Sequence, residues 1–172
     1  MKGWKSLEQD IEKIYQEHGK TVYNYLFCLC KNQSLAEDLA QETFYIASKK
    51  IEGFHNKCKI EVWLCRIAKN LWYQELKRVK KFATISMDSE IGEIKSDFNL
   101  EENFIENMQK AEVYKEIEKL ESPIKELICL KLTTELTFKD IAQILGKSEP
   151  WTRVTFYRWK TKMKEMNQKE EQ

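Results

Sequence analysis

The sequence predicts an all-α protein built from two small helical domains that are joined by an acidic flexible linker. Glycine and proline are scarce, with five and two residues among 172, while lysine, glutamate, leucine and isoleucine dominate, which favours helix over sheet. Apolar residues recur at helical spacing on both sides of a polar, acidic stretch that has no sustained apolar stripe. We therefore expect a first domain over residues 1–84, a linker over 85–107 and a second domain over 108–172.

The first two helices are predicted from apolar spacing and from capping residues. Helix one covers Leu7–Cys30, and Gly19 is a candidate break within it. Ser34 is the expected N-cap of helix two, with Glu37 three residues later completing a capping box. Gly53 is expected to end this second helix.

The third helix, from about Ile60 to Phe82, is predicted to have one apolar face and one basic face. Its apolar positions are Leu64, Ile67, Ala68 and Leu71. The opposite arc contains Arg66, Lys69, Asn70, Tyr73, Lys77 and Lys80. Most charged helix faces are simply solvated, but basic residues interleaved with an aromatic also suit phosphates and stacked bases.

The second domain is predicted to be of a four-helix type that ends in a helix-turn-helix. Thr137 is placed to cap a short helix, Gly146 to turn the chain, and Ser148 to cap the next helix. Pro150 then falls in the first turn, where the amide donors have no helical partner. This turn chemistry favours a DNA-reading helix over a helix that binds an acidic protein.

The last helix is predicted to pack through one face and to present the other to DNA. The packing positions are Thr152, Phe156, Trp159 and Met163. The outward positions are Arg153, Val154, Thr155, Tyr157, Arg158 and Lys162, and Trp151 borders the two faces. Arginine and threonine at the start of such a helix can meet base edges in the major groove, and the later lysines suit phosphates.

Charge is segregated along the chain, although the formal net charge is only +1. Residues 57–81 hold eight basic and two acidic residues, residues 86–121 hold four and eleven, and residues 147–164 hold six and one. Two basic blocks separated by an acidic block indicate two surfaces that meet a polyanion, joined by a connector that a polyanion would repel.

Several other classes of protein are disfavoured. The sequence has no stretch near the ~20 apolar residues of a membrane span, and its start is too polar for a signal peptide, so we expect a cytoplasmic chain without membrane insertion. Five scattered cysteines fit a reducing compartment, and neither they nor His55 have zinc-finger spacing, so we expect no metal and no cofactor. The chain lacks a glycine-rich phosphate loop and the common hydrolase motifs, which argues against an enzyme.

Two stretches resemble extracytoplasmic-function (ECF) sigma factors, which belong to the sigma-70 family of bacterial transcription initiation factors. The residues "AEDLAQETFYIASKKIEGF" and "VWLCRIAKNLWYQELKR" are similar to the second conserved region of that family. The residues "IEKLESPIKELICLKLTTELTFKDIAQILGKSEPWTRVTFYRWKTKMKE" are similar to the fourth, in the same order and spacing. The resemblance implies a protein that binds core RNA polymerase, selects promoters and is controlled by a partner anti-sigma factor.

The resemblance also implies roles for individual residues. The polymerase-binding residues would be Asp38, Gln41, Glu42 and Phe44. Recognition and melting of the minus-10 element would fall to Phe54, His55, Asn56, Lys57, Trp63, Arg66, Asn70, Tyr73 and Lys77. The minus-35 element would be read by Trp151, Arg153, Thr155, Arg158 and Lys162.

The stretch that is similar to the fourth region departs from the family pattern at two places. Pro150, Trp151 and Thr152 stand where the family places a small turn residue followed by threonine and valine, and Trp159 replaces a customary alanine. We expect these departures to change which promoter sequence is recognised and how the helix packs, more than they change the DNA-binding role.

A repressor-like helix-turn-helix regulator that does not bind polymerase is the alternative function. Such regulators pair two copies of one reader across a palindrome. This chain has two dissimilar basic surfaces and no evident dimerisation helix, which favours the sigma factor.

Overall fold

The computed structural model describes residues 2–83 and 110–170, and within these ranges the regular structure is entirely helical. The predicted all-α class is therefore confirmed. The predicted linker, residues 85–107, lies outside the described residues. The chain divides into two compact units, Met1–Ser96 and Asp97–Gln172.

Over residues 2–83, the first unit contains three long helices around one core. They are α1 (Lys2–Cys30), α2 (Gln33–Lys50) and α3 (Ile60–Ala83), with a short 3₁₀ turn at Ile51–Gly53 after α2. All three helices pack on one another. The core residues include Val22, Tyr25, Leu26, Leu29, Ala36, Leu39, Phe44, Ala47, Val62, Leu64, Cys65 and Ala68.

Three sequence-based expectations for α1 and α2 need correction. Helix α1 runs through Gly19 without a break, because packing against α2 and α3 outweighs the roughly 1 kcal/mol that glycine costs in a helix. Asn32, and not Ser34, caps α2, since its side chain accepts a hydrogen bond from the backbone N–H of Leu35 at 2.9 Å. Helix α2 ends at Lys50, and Gly53 instead ends the following 3₁₀ turn.

Over residues 110–170, the second unit contains four helices, in agreement with the predicted four-helix type. They are α4 (Lys110–Glu118), α5 (Ile124–Thr133), α6 (Phe138–Leu145) and α7 (Glu149–Glu170). Its core includes Val113, Ile117, Leu127, Ile128, Leu130, Leu136, Ile141, Ile144, Phe156, Trp159 and Met163. Trp159 is 6% exposed and lies beside Phe156 with ring centroids 6.1 Å apart, so the core accommodates this departure from the family pattern.

Helices α6 and α7 form the helix-turn-helix, and the capping chemistry is as predicted. The Thr137 hydroxyl accepts from the N–H of Asp140 at 3.1 Å, and the Asp140 carboxylate accepts from the N–H of Thr137 at 3.0 Å, which completes a capping box. Gly146 adopts a left-handed conformation with φ of 64°. The Ser148 hydroxyl accepts from the N–H of Trp151 at 3.2 Å.

Thr152 fixes α7 against α6. Its side chain is fully buried, and its hydroxyl lies 3.2 Å from the carbonyl oxygen of Phe138 at the start of α6 and 2.7 Å from that of Glu149. Because this contact links the two helix starts, the outward side chains of α7 project from a fixed base. None of the helices in the described part of the chain combines the length and apolar character that crossing a membrane requires.

Candidate nucleic-acid interface

Helix α3 presents the basic face that its sequence predicts. Arg66, Asn70 and Lys77 are exposed, whereas Leu64, Ala68 and Leu71 are buried on the other side. Lys69 and Tyr73, one turn apart, are half-buried, and the Lys69 ammonium lies 5.6 Å from the centre of the Tyr73 ring. This cation–π contact holds the tyrosine ring beside the exposed charges.

The loop before α3 carries an aromatic stack. The Phe54 ring lies against the Trp63 indole, with centroids 4.8 Å apart and an interplanar angle of 26°. The N–H of Phe54 donates to the carbonyl of Ile51 at 3.0 Å, which fixes the start of the loop. The structure therefore brings together two of the predicted minus-10 residues, one from the loop and one from α3.

The tip of this loop is polar and exposed. His55, Asn56 and Lys57 all face solvent, and Asn56 adopts a left-handed backbone conformation with φ of 52°. Asparagine tolerates that conformation better than most residues, so the sharp turn at the tip is compatible with its sequence. The tip offers an imidazole, an amide and an ammonium next to the aromatic stack.

The last turns of α3 add an internal ion pair to the basic face. The Arg78 guanidinium donates to the Glu75 carboxylate at 2.9 and 2.5 Å. These hydrogen bonds lower the pKa of Glu75, because they favour its charged form. The exposed Lys77, Lys80 and Lys81 keep the face cationic in spite of that carboxylate.

Thiol chemistry is not prominent at this interface. All five cysteines are free, and Cys28, Cys65 and Cys129 are buried. Burial raises the pKa of the Cys65 thiol, which keeps it protonated. Among the residues whose side chains the structure describes, no three His, Cys, Asp or Glu side chains are grouped to hold a metal ion.

The predicted polymerase-binding residues separate into an exposed set and a buried ring. Asp38, Gln41 and Glu42 are exposed on α2, and we call them the α2 polar face. Phe44 is not part of that face. It is only 5% exposed, and its ring packs edge-on against Tyr15 with centroids 5.0 Å apart. The ring of Phe44 supports α2 from inside, so the predicted partner contact would have to come from the exposed residues around it.

Tyr45, and not Phe44, is the aromatic residue on the exposed side of α2. It is 58% exposed, and it lies seven residues after Asp38 and four after Gln41, so it extends the α2 polar face by one turn. The Lys49 ammonium lies 5.3 Å from the centre of its ring. Tyr45 is not among the residues predicted for this face, although its spacing of seven from Asp38 places it there.

The outward face of α7 is built around Arg158 and Lys162, which are both exposed. Trp151 and Thr155 are half-buried at its edge, and the Lys147 ammonium lies 5.4 Å from the centre of the Trp151 ring. The packing face is also as predicted, because Thr152, Phe156, Trp159 and Met163 are all buried.

Arg153 is held in place by two contacts. Its Nη2 lies 2.9 Å from Oε1 of Glu149, one turn earlier on α7. Its guanidinium carbon also lies 4.9 Å from the centre of the Phe138 ring. An arginine that is ion-paired and stacked in this way loses less conformational freedom when it meets a base.

Phe138 was not predicted as part of the site. Its ring is 7% exposed, with the Lys131 ammonium 4.8 Å from its centre as well as the Arg153 guanidinium. The Tyr157 ring packs against it at 5.8 Å. Phe138 is thus a platform that orients Arg153 and Tyr157 of α7. In the sequence, only its position as the first residue of α6 points to that role.

Each compact unit therefore carries one exposed surface that combines cations with aromatic rings. Such surfaces attract phosphate through charge and can accept bases through stacking or groove contacts. The α2 polar face, by contrast, combines carboxylates with an amide and a tyrosine, which suits a protein partner.

Comparison with known proteins identifies relatives for most of the chain. Residues 14–82 match the family described as Sigma-70 region 2. The chain is 30% identical over 159 residues to the ECF RNA polymerase sigma factor SigM of Bacillus subtilis (strain 168), covering 90% of this chain and 93% of that protein. It is 27% identical over 155 residues to the RNA polymerase sigma factor YlaC of the same strain, covering 90% of each.

The fold is also found among solved structures. The sigma factor RpoE from Bartonella quintana, determined in complex with the anti-sigma factor NepR, matches with a TM-score of 0.74 and 18% sequence identity. The match covers 91% of this chain and 96% of that one.

Proposed function

The chain belongs to the ECF RNA polymerase sigma factors, and from that premise we propose how its two units divide the work of promoter recognition. As an alternative sigma factor, the protein binds core RNA polymerase and directs transcription initiation at promoters. It regulates initiation without an enzymatic reaction of its own. The first unit is the proposed minus-10 reader and the second is the proposed minus-35 reader.

The first unit reads and melts the minus-10 element in this proposal. The aromatic stack of Phe54 and Trp63 provides a surface for an unstacked base, and the α3 basic face, with Arg66 and Lys77, holds the backbone. Unstacking a base costs a few kcal/mol, and aromatic stacking returns roughly 1–3 kcal/mol per base. Phosphate contacts from the exposed cations supply the remaining free energy, so melting proceeds by trapping bases and requires no hydrolysis.

The second unit reads the minus-35 element through α7. Arg153, oriented by Glu149 and Phe138, and the exposed Arg158 are suited to hydrogen-bond acceptors on guanine edges. Lys162, further along the helix, is suited to a phosphate. The fixed contact between Thr152 and the start of α6 keeps these groups in register.

The α2 polar face is the proposed site for core polymerase. Asp38, Gln41, Glu42 and Tyr45 project from one side of a helix whose other side is buried in the core. The structural relative RpoE was determined with an anti-sigma factor. We extend this to the present chain as a proposed partner that covers one or more of these faces, and we propose that the protein acts in the cytoplasm.

One observation carries the proposal. Each of the two compact units presents a cationic face that includes aromatic side chains, and the two faces have different compositions. A reader that pairs two identical copies across a palindrome needs only one such face per chain, so the repressor-like alternative leaves the second face unexplained.

Run-off transcription with purified core polymerase tests the function. We expect the chain to confer specific initiation on a subset of genomic fragments, from which the promoter motif can be read. The control is a variant with Asp38, Gln41 and Glu42 all changed to alanine, which should fold normally but fail to support transcription. If the wild-type chain binds DNA fragments but gives no transcript with core polymerase, the repressor-like alternative is correct.

A further inference from the structure

An apolar side chain lies near the centre of the outward face of α7. Thr152, Phe156, Trp159 and Met163 form the buried face of α7. At about 100° per residue, Val154 lies within about 10° of the direction opposite to the centre of that face. Its side chain is 47% exposed. Thr161, two turns later, points in nearly the same direction, so the centre of the outward face of α7 holds a valine and a threonine and no arginine.

A second apolar group stands beside Val154. Tyr157, three residues later, is 50% exposed, and its ring packs on Phe138 at 5.8 Å and on Phe156 at 5.7 Å. These two contacts fix the ring while leaving part of it open. Val154 and Tyr157 line one shallow depression together with three cationic side chains, one hydroxyl and one carboxylate, which are Arg153, Arg158, Lys162, Thr161 and Glu165.

An apolar contact surrounded by cations restricts what can occupy it. The cations favour duplex DNA, and the major-groove edges of the bases present hydrogen-bonding groups with one apolar exception, the C5-methyl group of thymine. We propose that Val154 and the ring of Tyr157 form a contact for a thymine methyl group, so that the minus-35 element contains a thymine that is read by its methyl. This inference rests on the proposed role of α7.

Replacement of single thymines by uracil tests the contact, since uracil keeps every hydrogen bond and lacks only the methyl group. Holoenzyme is assembled from core polymerase and the full-length chain, and its affinity is measured for promoter fragments whose minus-35 element comes from selection. At one thymine, we expect uracil to weaken binding by the wild-type chain about fourfold, the effect of one buried methyl group. With Val154→Ala, the same replacement should change affinity by less than about 1.5-fold.

Two further variants sharpen the result. Val79→Ala removes a valine of similar exposure, 51%, from α3, and it should keep the full uracil effect. Tyr157→Phe should also keep it, because the ring and not the hydroxyl makes the contact.

Three outcomes would overturn the inference. These are a selected element without thymine, equal uracil effects in the wild-type chain and Val154→Ala, or no uracil effect at any position. Equal effects with normal promoter binding would leave the proposed function intact and would show that another group contacts the thymine methyl. A holoenzyme that binds no promoter would contradict the proposed function itself.

Discussion

Arg158 occupies a position on α7 where charge can act on DNA without supporting the fold. It is exposed, and it lies on the outward face beside Val154. Its neighbour Arg153 differs, because that guanidinium is already engaged by Glu149 and Phe138. Changing Arg158 therefore separates DNA recognition from stability more cleanly than changing Arg153 does.

We predict that Arg158→Ala weakens minus-35 binding by about 5- to 150-fold, the range of a lost contact to a base edge worth roughly 1–3 kcal/mol. Binding to core polymerase should remain unchanged, because the α2 polar face lies on a different unit. Gel shift and co-purification measure the two properties. Arg78→Ala, an exposed arginine on α3, is the control for minus-35 binding. Equal loss of both properties in Arg158→Ala would indicate misfolding or a different DNA-binding surface.

Trp63 is the residue on which the melting hypothesis depends most. Its indole, in the first turn of α3, is half-buried and stacked on Phe54. Phe54 comes directly before the exposed loop residues His55, Asn56 and Lys57. We predict that Trp63→Ala lowers open-complex formation by about 5- to 150-fold, the effect of losing roughly 1–3 kcal/mol of stacking on one base. Permanganate reactivity of unpaired thymines measures open-complex formation.

The control for Trp63 is Phe82→Ala, which removes an aromatic ring that is 55% exposed near the end of the same helix. This variant should melt promoters normally. Trp63→Phe should retain part of the activity, because a smaller ring can still stack. If Trp63→Ala melts promoters as well as the wild-type chain does, the captured base lies elsewhere.

At the level of elements, the turn between α6 and α7 depends on one backbone conformation. Gly146 has φ of 64°, a region that costs other L-residues roughly 1–2 kcal/mol. We predict that Gly146→Ala destabilises the second unit by about 1 kcal/mol, measured by hydrogen exchange in residues 138–163. Gly53→Ala is the matched control, since its added Cβ meets nothing within 4 Å. A Gly146→Ala variant with unchanged protection would show that the turn tolerates a side chain.

Periodicity and capping predicted the elements well where the two signals agreed. Helix α3 was expected from Ile60 to about Phe82 and runs from Ile60 to Ala83. The start of α2 was placed wrongly because Asn32 and Ser34 are both good capping residues, and only the three-dimensional path of the chain selects Asn32. Gly19 was a weak signal for a break, and tertiary packing overrode it.

The candidate site was predicted less completely than the fold. Phe44 belongs to the apolar stripe of α2, and that stripe was a better guide to its burial than the family resemblance was to its role. The platform under Arg153 and Tyr157 could not be predicted, because Phe138 lies 15 and 19 residues away in sequence and only the turn brings these residues together. Contacts between helices are absent from any pattern along a single helix.

At the scale of the whole molecule, each unit has its own core, and this suggests that each can be produced separately. We predict that fragments 1–96 and 97–172 each unfold cooperatively and that fragment 1–96 retains binding to core polymerase. Mixed at micromolar concentration, the two fragments should support at least 100-fold less promoter-specific transcription than the intact chain. The reason is that covalent connection gives the two units an effective concentration for each other that can reach the millimolar range.

Run-off assays with equal molar amounts of the fragments and of the full chain measure this difference. A mixture as active as the intact chain would show that covalent connection is unimportant and that polymerase alone recruits each unit. The two basic blocks lie on either side of the acidic block between residues 86 and 121. Separating the fragments therefore also separates the two basic blocks.

The ring-on-ring arrangement of Phe54 and Trp63 limits how many nucleotides this reader can take. One face of the indole is already covered by the phenyl group, so the indole itself has at most one face left on which a nucleobase can stack. The indole would therefore bind a single flipped base of the promoter. The neighbouring bases would be recognised by hydrogen bonds or would not be recognised at all.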